Sequence, residues 1–233
     1  MTSERFFGLI PAAGAGERMG RASPKQYLPL LGRPMLYHSV NALLASDRID
    51  TVFVVLAPAD REFRQHEWGG FGGRVAPLYC GGATRHDSVL NGLVAASSTV
   101  QPDDWMLVHD AARPCLRQCE LQRLLAALAT DEVGGILGLP VADTLKRADA
   151  DGQIQATEPR ERLWHAQTPQ MFRHGLLLQA LSRSGMVTDE AGAIEALGLK
   201  PKLVQGSTMN LKVTFAEDLQ LAETILASCA RQS

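Results

Sequence analysis

The sequence has no hydrophobic run long enough to cross a membrane, and it carries very little net charge. A membrane-spanning helix needs about 18 consecutive apolar residues, so we expect a soluble protein with no membrane partner. The 23 basic and 25 acidic residues give a formal charge of −2, which provides no broad positive field to attract nucleic acid. We therefore predict no nucleic-acid partner and expect local cations to bind any phosphate ligand.

Cysteine is also scarce, and its spacing does not match a known metal or disulfide pattern. The four cysteines, at positions 80, 115, 119 and 229, form no CxxC pair. Their separations fit neither the common zinc signatures nor a small disulfide framework. We expect reduced thiols in a cytoplasmic protein and predict no metal ligands on the chain.

The remaining pattern is that of one α/β domain over residues 1–233. Short apolar runs rich in β-branched residues alternate with amphipathic stretches of period about 3.6, which predicts a mostly parallel, twisted sheet flanked by helices. The predicted strands include 6–10, 51–57, 105–108, 135–141 and 203–205, and the predicted helices include 174–183 and 189–197. Thr188 is the expected N-cap of the 189–197 helix, and Thr214 with Glu217 is the expected capping box of the last one.

Residues 142–165 interrupt this alternation. Two short segments, 144–147 and 154–157, flank an Asp151-Gly152 pair, which is a hairpin-turn signal. A hairpin with so little apolar material is not stable alone in water. We therefore expect a β-arm that packs on a second copy of the chain, giving a homodimer; a flexible surface loop is the alternative.

The first predicted strand ends in small residues that allow a close approach of phosphate. The segment 11–16 reads Pro-Ala-Ala-Gly-Ala-Gly, and Arg18 and Lys25 follow it. Such a loop is typical of phosphate sites at the carboxyl end of a strand. The glycine spacing is neither a Walker A loop nor the dinucleotide fingerprint. We interpret the two cations and the loop as a triphosphate site; a tight turn with solvated cations is the alternative.

Two further loops follow predicted strands. Residues 81–88 open a helix, and their main chain with the Ser88 hydroxyl could recognise a base edge, or Ser88 could satisfy the helix end. After the strand at 105–108, Asp110 could bind a metal or a substrate hydroxyl and Arg113 could bind phosphate. A local ion pair between Asp110 and Arg113 is the alternative.

Other polar residues carry a weaker signal. Lys212 alternates with Leu211 and Val213, which predicts a strand with the lysine facing solvent. His109 and His165 have no serine or cysteine partner in a recognised spacing, so no catalytic triad is predicted.

Taken together, eight motifs resemble the 2-C-methyl-D-erythritol 4-phosphate cytidylyltransferase family of the non-mevalonate isoprenoid pathway. In chain order they are Pro11-Ala12-Ala13-Gly14-x-Gly16-x-Arg18-Met19, Pro24-Lys25-Gln26-Tyr27, Gly81-Gly82-x-x-Arg85-x-Asp87-Ser88-Val89, Val108-His109-Asp110-Ala111-Ala112-Arg113-Pro114, Asp143-Thr144-x-Lys146, Trp164-x-x-Gln167-Thr168-Pro169-Gln170, Thr188-Asp189-Glu190-Ala191 and Asn210-x-Lys212-Val213-Thr214.

The resemblance implies a Rossmann-like nucleotidyltransferase fold and a homodimer joined by β-arms. It also implies transfer of a cytidylyl group from CTP to methylerythritol phosphate, with Mg²⁺ held mainly by the CTP phosphates. The catalytic residues that it implies are Arg18, Lys25, Arg160 and Lys212, with Arg162 as a competitor for the role of Arg160. The implied nucleotide-binding residues are Ala12, Ala13, Gly14, Gly16, Gly82, Ala83 and Ser88. The implied substrate-binding residues are Asp110, Arg113, Thr144, Thr168 and Thr188.

This chemistry agrees with the missing triad. The nucleophile would be a phosphate monoester, whose second pKa of about 6 makes it an anion at neutral pH without a general base. A ribitol-5-phosphate cytidylyltransferase is the nearest alternative enzyme, and a non-catalytic nucleotide-binding dimer is the alternative of another class.

Overall fold

The computed structural model describes residues 4–14, 24–185 and 187–230. Its helices are α1 (Met35–Leu44), α2 (Arg85–Ala96), α3 (Gln118–Leu128), α4 (His174–Arg183), α5 (Glu190–Ala196) and α6 (Ala216–Ala230). Its strands are β1 (Phe6–Pro11), β2 (Pro29–Leu30), β3 (Arg33–Pro34), β4 (Ile49–Val55), β5 (Val75–Leu78), β6 (Trp105–Val108), β7 (Gly134–Pro140), β8 (Leu145–Ala148), β9 (Ile154–Glu158), β10 (Trp164–Arg173) and β11 (Lys202–Gln205).

Among the described residues, seven strands form the central sheet, in the order β11-β7-β10-β6-β1-β4-β5. Among the described strands of this sheet, β10 alone runs antiparallel, and it pairs with both β6 and β7. The neighbouring pairs β1–β4, β1–β6, β4–β5 and β7–β11 are parallel. The predicted α/β class with a mostly parallel sheet is confirmed.

Helices cover both faces of the sheet because the parallel strands are apolar on both sides. On β1, Phe6 and Ile10 join one core cluster, which includes Leu36 and Leu43 of α1. Phe7 and Leu9, which point the other way, join a second cluster with Val89 and Leu93 of α2 and Leu177 of α4. Side chains that alternate along a single strand thus contribute to both hydrophobic cores, which lie on opposite faces of the sheet.

The predicted arm is present. Strands β8 and β9 pair only with each other among the described strands, in a separate two-stranded antiparallel sheet. Their bounds lie within one residue of the segments expected from the sequence.

Strand β10 was not predicted, because Pro169 interrupts the sequence in the middle of it. Proline cannot donate to a strand ladder and argues against an interior strand. In the structure the register between β10 and β7 shifts between Ala166 and Gln170. Pro169 therefore lies in an irregularity of the pairing, where the missing N–H is tolerated.

Three local predictions were wrong. The carboxylate of Asp218, not Glu217, accepts hydrogen bonds from the amides of Thr214 and Phe215 at 2.7 and 2.8 Å. Asp189, not Thr188, caps α5 by accepting from the Gly192 amide at 2.9 Å. In both cases the aspartate lies one position further along the chain than the expected residue, and the helix begins correspondingly later, at Glu190 and Ala216. Lys212 lies in an irregular segment rather than on a strand.

Within the described ranges, no helix is both long and apolar enough to span a membrane.

Candidate active site

The candidate site lies where β1 and β6 end. These strands are parallel neighbours, with Leu9 opposite Val108, so the segments that follow them meet at one edge of the sheet. A cavity of about 180 Å³ opens there, and we call it the central cleft. Its lining residues are Pro11, Ala12, Gly14, Lys25, Gln26, Met35, Arg85, Asp110, Ala111, Ala112 and Lys212. The structure therefore brings together Lys25, Asp110 and Lys212, which the sequence separates widely.

The small-residue loop is held by main-chain and side-chain hydrogen bonds. The Ala12 amide donates to the Val55 carbonyl at 2.8 Å, and the Ala12 carbonyl accepts from the Gln26 amide nitrogen Nε2 at 2.7 Å. Ala12 thus lines the cleft, and its amide already donates to Val55. Gly14, by contrast, is exposed. Gly16 and Arg18 lie outside the described residues.

Gln26 is a site residue that sequence reasoning missed. It lies in a short 3-10 helix, Lys25–Tyr27, and its side chain is buried. Its bond to Ala12 fixes the backbone of Lys25 beside the loop. The Tyr27 hydroxyl donates to Asp60 at 2.8 Å and anchors the other end of this short helix.

The loop before α2 is ordered by its own side chains. The buried Ser88 hydroxyl accepts from the Gly82 amide at 3.1 Å and donates to the Thr84 carbonyl at 2.9 Å. Thr84 caps the helix together with Asp87. A β-carbon at Gly82 would collide with that of Asp87, so only glycine allows this close turn. Ser88 therefore satisfies main-chain groups at the start of α2, which was the alternative to recognition of a base. Ala83 is exposed beside it.

Asp110 is the centre of a charge network. Its Oδ1 lies 3.1 Å from Arg85 Nε, and its Oδ2 lies 2.7 Å from Lys212 Nζ and 3.9 Å from Arg113 Nε. Burial alone would raise the pKa of Asp110, but the charges of Arg85, Lys212 and Arg113 outweigh it and hold the pKa well below its usual range. Asp110 is therefore ionised at neutral pH. Lys212 borders the cleft and pairs with Asp110, while about half of its side chain remains exposed, so the solvent-facing expectation holds in part.

Arg113 is largely buried and bonded to the main chain. Its Nη1 donates to the Asn210 carbonyl at 2.7 Å, and its Nη2 donates to the Ala166 carbonyl at 3.4 Å. These bonds tie the segment that carries Lys212 to β10. Arg113 is not part of the lining of the central cleft.

The three predicted threonines lie in different places. Thr168 is buried below Asp110, and its Oγ1 accepts from the Asp110 amide at 3.0 Å. Thr188 is exposed and lines a second cavity of about 340 Å³, which shares Arg85 with the central cleft and also borders Glu190. Thr144 is exposed next to the arm.

Arg160 and Arg162 also lie at the arm and are exposed. Arg160 Nη1 donates to the Ala142 carbonyl. Neither arginine borders the central cleft of its own chain, so geometry within one chain does not choose between them.

Sequence reasoning assigned no role to Arg85 or Glu190, although both lie in the quoted motifs. The two guanidinium nitrogens Nη1 and Nη2 of Arg85 bond Glu190 Oε1 and Oε2 at 2.6 and 3.1 Å. The two residues are 105 positions apart, so no local spacing could pair them. No cluster of three or more His, Cys, Asp or Glu side chains able to hold a metal occurs in the part of the chain that the structure describes.

Comparison with known proteins places this chain in a family. The sequence profile described as IspD: 2-C-methyl-D-erythritol 4-phosphate cytidylyltransferase matches residues 7–228. The curated enzyme of that name from Dechloromonas aromatica is 59% identical over 222 residues, covering 95% of this chain and 97% of the relative. The one from Aromatoleum aromaticum is 56% identical over 224 residues, covering 96% of each.

Solved structures agree with this result. The crystal structure of a 4-diphosphocytidyl-2C-methyl-D-erythritol synthase superposes with a TM-score of 0.86 at 38% identity, covering 96% of this chain and 100% of that one. The 2-C-methyl-D-erythritol 4-phosphate cytidylyltransferase of Thermus thermophilus has a TM-score of 0.77 at 32% identity, covering 96% of this chain and 98% of that one. This chain belongs to the 2-C-methyl-D-erythritol 4-phosphate cytidylyltransferase family.

Proposed function

We propose that the central cleft is where this protein joins its two substrates. As a member of its family, the protein transfers the cytidylyl group of CTP to 2-C-methyl-D-erythritol 4-phosphate, giving 4-diphosphocytidyl-2-C-methyl-D-erythritol and pyrophosphate. The observation that carries the proposed location is the Lys212–Asp110 ion pair at 2.7 Å, in a cleft that also contains Lys25 and the small-residue loop.

The reaction needs cations more than it needs a base. An oxygen of the alcohol phosphate attacks the α-phosphorus of CTP, and the bond from that phosphorus to the bridging oxygen of pyrophosphate breaks. The nucleophile is already an anion at neutral pH. Catalysis then consists of holding two polyanions in line and neutralising the charge that moves to the leaving group.

We assign roles on this basis. Arg18 and Lys25 stabilise charge at the triphosphate, and Lys212 positions the phosphate of the alcohol. The loop residues Ala12, Ala13, Gly14 and Gly16 and the α2 loop residues Gly82, Ala83 and Ser88 contact CTP. Asp110, Arg113, Thr168 and Thr188 shape the alcohol site, and the arm residues Thr144 and Arg160 complete it.

The direct test is pyrophosphate release from CTP with methylerythritol phosphate, compared with ribitol 5-phosphate. We expect a much higher kcat/KM for methylerythritol phosphate. A higher value for ribitol 5-phosphate would change the substrate assignment. No release with either alcohol would indicate a nucleotide-binding protein without catalysis.

Magnesium is the proposed cofactor. Mg²⁺ prefers oxygen ligands and keeps several waters, so the triphosphate can supply most of its coordination. Asp110 is a carboxylate of the cleft, but its two oxygens already contact Arg85 and Lys212. Titration calorimetry should show Mg²⁺ binding in the presence of CTP and little binding to the protein alone. Equal binding without CTP would indicate protein ligands.

A homodimer joined by the arms is the proposed assembly. Ile154 on β9 is 67% exposed and Leu163 at the base of the arm is 43% exposed. An isolated two-stranded hairpin is marginal in water, so these apolar side chains favour packing of the arm against a second copy. Thr144 and Arg160 would then reach the partner's cleft.

Co-expression of two inactive variants tests whether sites are shared. With Lys25→Ala and Arg160→Ala, a heterodimer has one site with both defects and one intact site. Random pairing makes about half of the dimers heterodimeric, so roughly a quarter of wild-type activity should return. Lys25→Ala with Lys212→Ala is the matched control, because both residues line the cleft of one chain and no intact site can form. Equal activity in both mixtures would contradict shared sites.

The proposed location is the cytoplasm, where free thiols persist. None of the four cysteines, all of which the structure describes, forms a disulfide bond. Cell fractionation with an antibody to the protein would test this location.

A further inference from the structure

Glu190 is a buried carboxylate for which the reaction has no evident use. It is 1% exposed and begins α5. Its two oxygens accept from the two terminal nitrogens of Arg85, at 2.6 and 3.1 Å. Such a two-bond fork fixes the plane of the guanidinium. A buried carboxylate is costly unless it is paired, so Glu190 and Arg85 act as one unit.

The remaining donor of Arg85 links this unit to the cleft. With both terminal nitrogens engaged by Glu190, the direction of Nε is set, and Nε lies 3.1 Å from Asp110 Oδ1. Asp110 therefore presents its other oxygen, Oδ2, to Lys212 Nζ at 2.7 Å. Charges alternate along the row Glu190, Arg85, Asp110 and Lys212, and only the last side chain is about half exposed.

We propose that Glu190 and Arg85 are positioning residues that orient the Asp110 carboxylate so that it holds the Lys212 ammonium in the central cleft. The inference rests on the proposed role of Lys212 toward the alcohol phosphate. Without the Glu190 charge, Asp110 becomes the nearest carboxylate to Arg85. The guanidinium can then turn its fork toward both oxygens of Asp110, and Lys212 loses its partner.

Glu190→Gln is the first test, because it removes the charge and keeps the shape. We expect KM for methylerythritol phosphate to rise about tenfold, a change within the usual range for coupled neighbours. The Kd for CTP should change less than about twofold, which is no more than distant, independent sites affect one another. Arg85→Lys should have a similar effect, since an ammonium cannot span two carboxylates as a fork does.

Glu120→Gln is the matched control. Glu120 is also fully buried and is paired with an arginine, Arg117, at 3.1 Å, but it lies on α3 outside the central cleft. Both variants should lower the melting temperature, and only Glu190→Gln should raise KM. A fall in melting temperature for both variants without any change in KM would overturn the proposal.

A double-mutant cycle with Asp110→Asn decides whether Glu190 acts through Asp110. Asp110→Asn alone should raise KM for methylerythritol phosphate, and Glu190→Gln should add little in that background. Additive effects would overturn the positioning role while leaving the proposed site intact. No effect of Asp110→Asn on KM would instead refute the proposed role of the cleft. If Glu190→Gln does not fold, Arg85→Lys completes the same cycle.

Discussion

The Thr168 hydroxyl oxygen lies 3.0 Å from the amide nitrogen of Asp110 and 3.0 Å from His109 Nδ1. The Asp110 amide can only donate, so Oγ1 accepts from it. His109 Nε2 lies 3.0 Å from the Arg113 carbonyl, which can only accept, so Nε2 carries the imidazole proton. Nδ1 is then unprotonated and accepts from the Thr168 hydroxyl. The Arg113 carbonyl thus sets the tautomer of His109, and one side chain of β10, Thr168, bonds both the His109 ring and the start of the loop that carries Asp110.

Thr168→Val should destabilise the protein by about 1–3 kcal/mol, because it leaves the Asp110 amide and His109 Nδ1 buried without a partner. Valine keeps nearly the same shape as threonine, so the loss of stability measures the contribution of the hydroxyl. Urea unfolding at neutral pH measures the change. Thr168→Ser keeps the hydroxyl and should recover most of the loss; a serine variant as unstable as the valine variant would contradict this explanation.

His109 should make stability depend on pH in the acid range. Burial lowers the pKa of His109 to about 4, from an ordinary value of 6.5. Between these values the unfolded chain binds a proton that the folded protein does not, so the free energy of unfolding falls as pH drops from 6.5 toward 4. The full contribution is about 3 kcal/mol.

The measurement for His109 is urea unfolding at several pH values between 7 and 4.5. His109→Gln removes the titrating group, so its stability should fall less steeply with decreasing pH than that of the wild type. Parallel curves for the two proteins would show that the histidine contributes nothing to acid sensitivity.

Lys212→Ala should weaken use of the alcohol phosphate and spare CTP. The ammonium lies in the cleft at 2.7 Å from Asp110, and we expect KM for methylerythritol phosphate to rise while the Kd for CTP is nearly unchanged. Steady-state kinetics and titration calorimetry measure the two quantities. The exposed Lys200→Ala is the control and should match the wild type. A large loss of CTP affinity in Lys212→Ala would move this lysine to the nucleotide site.

Arg18→Ala and Lys25→Ala should lower kcat more than they raise KM for CTP. Their charges matter most as negative charge moves onto the leaving pyrophosphate. Removal of one preorganised donor typically costs about 10²-fold or more in rate. Unchanged kcat with a higher KM would assign both residues to ground-state binding of the nucleotide.

The parts of the fold that could be predicted are those determined locally. Strands β1 and β6 are apolar on both faces, and the hairpin has a turn signal, so neighbouring residues carry the information. Strand β10 was not predicted because Pro169 argues against a strand in the local sequence. The strand forms because it pairs with β6 on one side and β7 on the other.

The candidate site also has parts that could be predicted from local sequence and parts that could not. The small-residue loop and Asp110 follow strands, and strand ends can be read from sequence. The Glu190–Arg85 fork joins residues 105 positions apart, so it depends on how α2 and α5 pack. Asp189 and Glu190 are adjacent in sequence but have different partners: Asp189 caps α5, whereas Glu190 pairs with Arg85.

The place of β10 in the sheet also sets an order for synthesis. A ribosome delivers β1, β4, β5 and β6 first, and these strands can pair as they emerge. Strand β7 follows, but its neighbour toward β6 is β10, which begins only at residue 164, after both strands of the arm. A nascent chain that stops before residue 164 therefore keeps one edge of β6 open to pairing with other strands. Both strands of the arm are therefore synthesised before the central sheet is complete.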